Sequence, residues 1–476
     1  MWNEPFRNTA FKKKLYELNP NRDSKQVVIQ QTRREQRKAS VTMQSNERYV
    51  RQILSDKLSG THLGLWLLVP EYLRLGAWDL LAGCFSKTTN GDLNTRIALQ
   101  MVNESALCVN RLRQRGTLCN QGFSLVNGLS FLAADETIHE LLDAHPVEAY
   151  EQLQTTLMQL RRLENHYGDE QVIALDPHRI KSATGRIMPY KKKRPDEAAH
   201  KMMQTFFAVD AFTGQPLGFT LGSSGKNCNA ASLQLIKLLE QGGLKEALFV
   251  ADKEYFSREV TDYFYHHPTF DILMPAPEFK KITSRFDQLE YTPLWAGYAQ
   301  ASTVFNFGGS LNQLKLIVQR QGEQKGKYHY KPFLTTSIKN PVDLLTIIFP
   351  ERWTIEEFFN FNGDMGWNRA STFNLNIKYG KQTMALIAQA ATHQLKNKLP
   401  GNYKNWTAEH TAEQVLTNME GDIRVEGDTI IVTYYRDHEK LNLKQHFENL
   451  PQILQHEGIN PKIPWLFDFK LDFRFK

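Results

Sequence analysis

Two short apolar runs, "QVIALD" (171–176) and "ALFVAD" (247–252), each end in an aspartate. Aliphatic runs of this length, bounded by polar residues, read as buried strands. A carboxylate at the exit of two such strands constrains the fold more than any other feature of the chain. If the strands are neighbours, Asp176 and Asp252 emerge at one edge of a sheet, where open α/β sheets take their ligands. Two carboxylates brought together there repel unless a cation or a proton lies between them. Hard divalent cations take oxygen ligands. A third acid would allow two ions about 3.5–4 Å apart, an arrangement suited to phosphoryl transfer.

The surrounding sequence supplies the rest of such a sheet. "MMQTFFAVDAFTGQPLGFTLGSS" reads as a hairpin around Thr213–Pro216, with Asp210 as a turn residue. "NAASLQLIKLLEQGG" is a helix closed by glycine, and "SREVTDYFYHHP" a helix with Ser257 as N-cap. "FDILMPAP" is a further strand. The order strand, hairpin, helix, strand, helix, strand predicts a mixed α/β sheet. Short β-like runs between 278 and 348 suggest a β-rich insertion. A helix is expected from Pro350, in "PERWTIEEFFNF", since proline suits a first turn. That helix offers Glu356 or Glu357 as the third acid. Arg352 lies four residues before Glu356, hence on the same helix face, and an arginine there can hold a phosphate bidentately.

"RIKSATGRIMPYKKKRP" follows the first strand and carries Arg179, Lys181, Arg186, Lys191, Lys192, Lys193 and Arg194 with no acid. Such a loop suits a DNA backbone beside the acids; a solvated loop is the alternative. His178 reads first as a structural hydrogen-bonding residue. "GSSGKN" (222–227) lacks the spacing and the Ser/Thr of a phosphate loop and reads as a turn.

Taken together, "IALDPHRI", "FVAD" and "RWTIEEFF" resemble the three acidic motifs of bacterial insertion-sequence DDE transposases. The likeness is to members with an RNase H-like catalytic domain, a β-rich insertion before the glutamate and a third motif Y-x-x-R-x-x-x-E-x-x-x-x-x-x-K. It covers roughly 61–476. It implies that Asp176, Asp252 and Glu356 are catalytic and bind two Mg²⁺ (or Mn²⁺), with Arg352 near a phosphate of the transposon end. The motif's tyrosine falls on Phe349, keeping a ring for DNA contact. Its lysine falls on Gly363, which removes a cation; Lys378 or Lys381 could substitute. Aromatic residues in the insertion of related enzymes hold a flipped base, a role that would fall to Trp295; a core tryptophan is the alternative. The implied activity is metal-dependent cleavage at transposon ends and strand transfer into target DNA. The implied partner is double-stranded DNA, bound as a homodimer, in the bacterial cytoplasm at the nucleoid. A nuclease without strand transfer and a domesticated, non-catalytic DNA-binding protein are the rival readings.

The domain division that follows is a basic segment (1–60), an all-helical DNA-binding region (61–168), the catalytic core in two parts (169–277 and 349–400), the insertion (278–348) and a C-terminal region (401–476). Charge placement supports the first. Residues 1–60 hold 13 Lys+Arg against 6 Asp+Glu, while the remaining residues balance at 45 against 45 within the net +7. A basic segment suits phosphate backbones, though a solvated tail is equally consistent with charge alone. The four cysteines show no metal-binding spacing and read as core thiols. The longest apolar stretch is interrupted by Pro70, Glu71, Arg74 and Asp79, which excludes a membrane span there. The N-terminal sequence has no apolar signal core.

Overall fold

A computed structural model of the chain describes residues 36–37, 42–60, 62–87, 90–109, 118–119, 121–193, 196–324, 326–368, 372–436 and 439–476. The chain forms two compact units, one of residues 145–390 with 406–408, the other of residues 1–144, 391–405 and 409–476.

The unit of residues 145–390 is built on a nine-stranded sheet. Its strands are β1 (Val172–Lys181), β2 (Met202–Asp210), β3 (Pro216–Ser223), β4 (Ala247–Ala251), β5 (Phe270–Pro275), β6 (Thr292–Trp295), β7 (Tyr298–Phe305), β8 (Leu314–Gln321) and β9 (His329–Thr335). They lie in the order β3-β2-β1-β4-β5-β9-β8-β7-β6. β3, β2 and β1 are antiparallel neighbours, whereas β1, β4 and β5 run parallel. This is the order and direction of an RNase H-like sheet. Residues 278–348 add the four antiparallel strands β6–β9 to the same sheet, joined through β9 to β5.

Side chains of a strand alternate between the two faces. On one face Ile173, Leu175, Phe206 and Ala208 pack with Ala231 and Leu235 of α2 (Cys228–Gln241) and Val260 and Phe264 of α3 (Arg258–His266). Ser257 caps α3 by accepting from Val260 N at 3.3 Å. Helix α1 (Val147–Leu163) docks beside them through Gln154, whose Oε1 accepts from Phe219 N at 2.9 Å. On the other face Phe207 packs against Phe358, Phe359 and Trp367, which holds α4 (Thr354–Asn362) over β1 and β2.

Two sequence expectations need correction. β1 does not stop at Asp176 but runs on to Lys181, paired throughout with β2. What stops is its parallel neighbour: the last β1–β4 pair is Leu175 with Ala251. Backbone groups of alternate residues point to alternate sides. Val172 O accepts from Ala211 N on the β2 side, and Gln171 O from Leu248 N on the β4 side. The missing N–H of Pro177 therefore faces the β4 side, where the ladder has ended, so proline breaks no pairing. The second correction concerns Pro350. Helical structure begins earlier, at Pro341, and passes through a π segment (Leu344–Ile348) and a 3₁₀ segment (Phe349–Trp353) before α4. Pro350 sits inside this run, where a residue without N–H favours a change of hydrogen-bond register.

Asp210 is fully buried and belongs to the hairpin turn. Its Oδ1 accepts from Phe212 N and Thr213 N at 3.0 and 2.8 Å, and Oδ2 from Gly168 N at 3.1 Å. It is thus committed to the turn, as its position suggests.

The second unit is mainly helical up to residue 143, with helices Met43–Leu54, Ala77–Phe85, Gly91–Ala106 and Asp135–Asp143. The first of these lies in the basic segment and buries Asn46, Val50 and Leu54; the rest of that segment falls largely outside the described residues. A small sheet follows, of β10 (Gly421–Glu426), β11 (Thr429–Tyr434) and β12 (Lys470–Phe475), with Leu58–Ser59 beside β10. The β10–β11 turn places Gly427 at φ +64°, a conformation glycine adopts without strain. The buried carboxylate of Glu71 is matched by Arg74 and Lys398. All four cysteines are free. Among the described residues no helix is long and apolar enough to cross a membrane.

Candidate active site

The β1–β4 register sets Asp176 and Asp252 side by side, each one residue beyond the final pair. Asp176 lies on the even-numbered face of β1, the face covered by α4. Asp252 opens the 3₁₀ turn Lys253–Tyr255, and its Oδ1 accepts from Lys253 N at 2.7 Å. The segment Phe349–Trp353 packs on both β1 and β4, and α4 on β1. This brings Arg352 and Glu356 to the same edge. Arg352 donates to Glu356 Oε1 at 3.3 Å, and its guanidinium lies 6.0 Å from the Phe349 ring centroid. Phe349 itself meets Phe333 edge-on at 4.9 Å.

The electrostatics show Asp252 and Glu356 acting on Asp176. Burial pushes the Asp176 carboxyl up to about 7; Arg352 and Arg179 oppose this, while Asp252 and Glu356 raise it further. Glu357 is exposed, whereas Glu356 is half-buried. Three carboxylates with no sulfur or imidazole nitrogen among them form a hard-oxygen donor set, which suits Mg²⁺ or Mn²⁺. As placed the set is open: among the described residues no three His, Cys, Asp or Glu side chains lie close enough to enclose an ion.

Several of the basic-loop cations have partners within the fold. Arg179 pairs with Glu254 and donates to Gln204 Oε1 at 3.0 Å. Lys191 reaches the same two groups at 3.4 and 3.3 Å. Lys181 pairs with Glu197 at 2.9 Å, and Arg186 donates to Phe373 O at 3.1 Å. Lys192 and Lys193 are exposed, and Arg194 lies outside the described residues. Trp295 is exposed and stacks on Tyr298 at 4.2 Å, so it is not a core residue. Its strand β6 lies six strand spacings from β1, roughly 29 Å along the sheet; the fold does not bring it to the acids.

Residues 167–389 match the family model described as "Transposase DDE domain". This segment is similar to transposase DDE domains. The match includes Asp176, Asp252 and Glu356 together with the added strands β6–β9. Among solved structures, the chain is similar to one described as "Cryo-EM structure of piggyBac transposase synaptic complex with hairpin DNA". That chain is 11% identical, with a TM-score of 0.41 over 82% of this chain and 84% of its own. No curated protein matches the chain.

Sequence reasoning missed Glu254 and Asn368 at this acidic edge. Glu254, two positions after Asp252, is held below the usual carboxylate range, its burial outweighed by Arg179 and Lys191. Lys378, one of the two lysines offered as substitutes for the motif's lysine, is buried, and that burial pushes it down to about 8. Asn368 lies 3.1 Å from His178 Nε2, while the His178 ring rests on Phe359 at 4.4 Å. His178 thus has the structural contacts expected of it. Glycine at 363, where the family motif has lysine, was the one signal pointing toward Asn368.

Proposed function

We propose that the chain is a DNA transposase of the insertion-sequence type, which cleaves transposon ends and joins the freed 3′-OH to target DNA. The observation that carries this reading is the geometry of the β1–β4 edge, where the register sets Asp176 beside Asp252 just past the last parallel pair and α4 packs on β1 with Glu356, within a segment that matches the DDE family. Asp176, Asp252 and Glu356 would hold two Mg²⁺ or Mn²⁺. Such ions supply charge neutralisation at a transferring phosphate and lower the pKa of a bound water or hydroxyl.

The protein's own contribution is positioning. Arg352, set by its bond to Glu356, presents a guanidinium to a phosphate entering that edge. Phe349 offers a ring beside it. Lys192, Lys193 and Arg194 would track the DNA backbone. Arg179, Lys181, Arg186 and Lys191 shape the loop through their partners and contribute charge at longer range. Trp295 could meet a displaced base only on DNA extending along the sheet. Residues 1–168 would recognise transposon ends, and pairing of two ends would engage a homodimer. The site lies in the compact unit of residues 145–390, with 278–348 proposed as its insertion.

The test is a joining assay with purified protein, a DNA duplex carrying a free 3′-OH end, and a circular target in Mg²⁺. Joined product is expected. Cleavage without joining would favour a nuclease, and binding with neither would favour a domesticated DNA-binding protein.

The basic excess of residues 1–60 leads to a second expectation. Removing residues 1–41 leaves the packed helix Met43–Leu54 in place. Each neutralised phosphate contributes about −0.9 to the slope of log K against log salt on duplex DNA. The truncated protein is therefore expected to bind DNA more weakly and with a shallower slope. An unchanged slope would make the segment a solvated tail.

A further inference from the structure

Gly363 has helical dihedrals, φ −55° and ψ −33°, so its backbone conformation does not demand glycine. Space does. A Cβ at this position would meet Asn368 Nδ2 at 2.1 Å and Cγ at 2.6 Å, well inside carbon–nitrogen contact distance. The chain folds back here because Trp367 N and Asn368 N both donate to Gly363 O at 3.1 Å. The turn lays the Asn368 amide directly on the glycine and points its Oδ1 at His178 Nε2, 3.1 Å away. Phe359 supports the other side of that imidazole.

His178 and Asn368 line a cleft of about 380 Å³ together with Lys181, Lys193 and Glu197. Lys181 pairs with Glu197 at 2.9 Å and offsets its charge. Lys193, and Lys378 from behind, both bear electrostatically on the imidazole. The cleft begins two residues from Asp176, at His178 on the same face of β1, and runs past Arg179, Ile180 and Lys181 at the end of that strand. A positively biased, partly walled cleft with an oriented amide beside the acidic edge matches what a phosphodiester needs: a cation and a fixed neutral donor.

We propose that this cleft takes one phosphate of the DNA that reaches the acidic edge, contacted by Lys193 and by the Asn368 amide, and that Gly363 exists to let Asn368 into place. His178 is the positioning residue. With Asn368 Oδ1 held by the imidazole, the Nδ2 hydrogens are the donors the amide offers. The proposal rests on the DNA-transposase reading.

Three variants separate its parts, measured by binding to a fluorescent DNA duplex of arbitrary sequence over a range of salt, with folding checked by thermal melting. Asn368→Ala removes a neutral donor to a charged group, so binding is expected to weaken about tenfold with the salt slope unchanged. Lys193→Gln is expected to make the slope shallower by about 0.9. Gly363→Ala displaces Asn368 and is expected to reproduce the Asn368→Ala loss. The Gly363→Ala/Asn368→Ala double variant, which relieves the clash, is expected to bind no worse than Asn368→Ala alone, the non-additivity of residues acting as one unit. Wild-type affinity in Asn368→Ala, an unchanged slope in Lys193→Gln, or additive losses in the double variant would each overturn the proposal. The joining assay on wild-type protein stands apart: if it succeeds while these variants behave as wild type, only the cleft assignment fails. If wild type binds no DNA, the underlying reading fails with it.

Discussion

An Asp176→Asn protein is expected to join no DNA ends and yet, without metal, to melt at a higher temperature than the wild type above pH 7. The loss of activity follows from removing one carboxylate of the three-acid set. Charge stabilisation by bound metal contributes several kcal/mol to a phosphoryl-transfer barrier, which at 1.36 kcal/mol per decade is roughly a thousandfold or more. The gain in stability has a different origin. In the folded chain, burial, Asp252 and Glu356 hold the Asp176 carboxyl up to about 7, against the pull of Arg352 and Arg179. In the unfolded chain it titrates near its ordinary value of 3.8. Below about pH 4 both states are protonated and there is no cost. Between about 4 and 7 the folded state keeps a proton that the unfolded state has released, so stability falls as pH rises. Above 7 the full cost remains, with a ceiling of about 4 kcal/mol at 1.36 kcal/mol per pKa unit. The amide of asparagine carries no such cost. Melting curves of both proteins in chelator at pH 5 and pH 8 read this directly. The variant's advantage should be larger at pH 8, and the reverse order would mean that burial beside Asp252 and Glu356 does not raise the Asp176 carboxyl.

Glu356→Gln is expected to abolish joining, while Glu357→Gln keeps most of it. Adjacent helical residues point about 100° apart, so only one can face the aspartates. Glu356 is half-buried, bonded to Arg352 at 3.3 Å and felt by Asp176, whereas Glu357 is exposed. Folding is not a competing explanation for the loss. An exposed i,i+4 pair is worth about 0.3–0.5 kcal/mol, and the Glu356 side chain is 37% exposed. A paired joining assay on one DNA substrate checks the expectation. A dead Glu357→Gln beside an active Glu356→Gln would mean that α4 is turned the other way, and the role given to Arg352 would fall too.

The sheet was legible because its signals are local. "QVIALD", "ALFVAD" and "FDILMPAP" are apolar runs with polar limits, and the helices between them carry caps such as Ser257 and breakers such as Gly243. The convergence of Asp176 and Asp252 followed from their equal positions in two neighbouring strands. Features that depend on distant pairing were not legible. The strand β1 runs past Asp176 because β2 continues beside it while β4 does not, and Pro177 read alone suggests an ending. Arg179, Lys181 and Lys191 read as free cations because Glu254 and Glu197 meet them only in the fold. Trp295 was placed by resemblance, and no local pattern reports how many strands separate it from β1. Gly363 was noticed as a lost cation; that it is a space left for Asn368 depends on a chain reversal that residue spacing does not show.

The central claim is that Asp176, Asp252 and Glu356 share one divalent-metal site. Fe²⁺ in place of Mg²⁺, with ascorbate and peroxide, releases hydroxyl radicals that cut the backbone beside the bound ion, and mass spectrometry maps the cuts. Cuts are expected around residues 176, 252 and 356 together, and all three should vanish in Asp252→Asn. Cuts confined to one of these segments, or persisting at 176 and 356 in Asp252→Asn, would contradict a shared site.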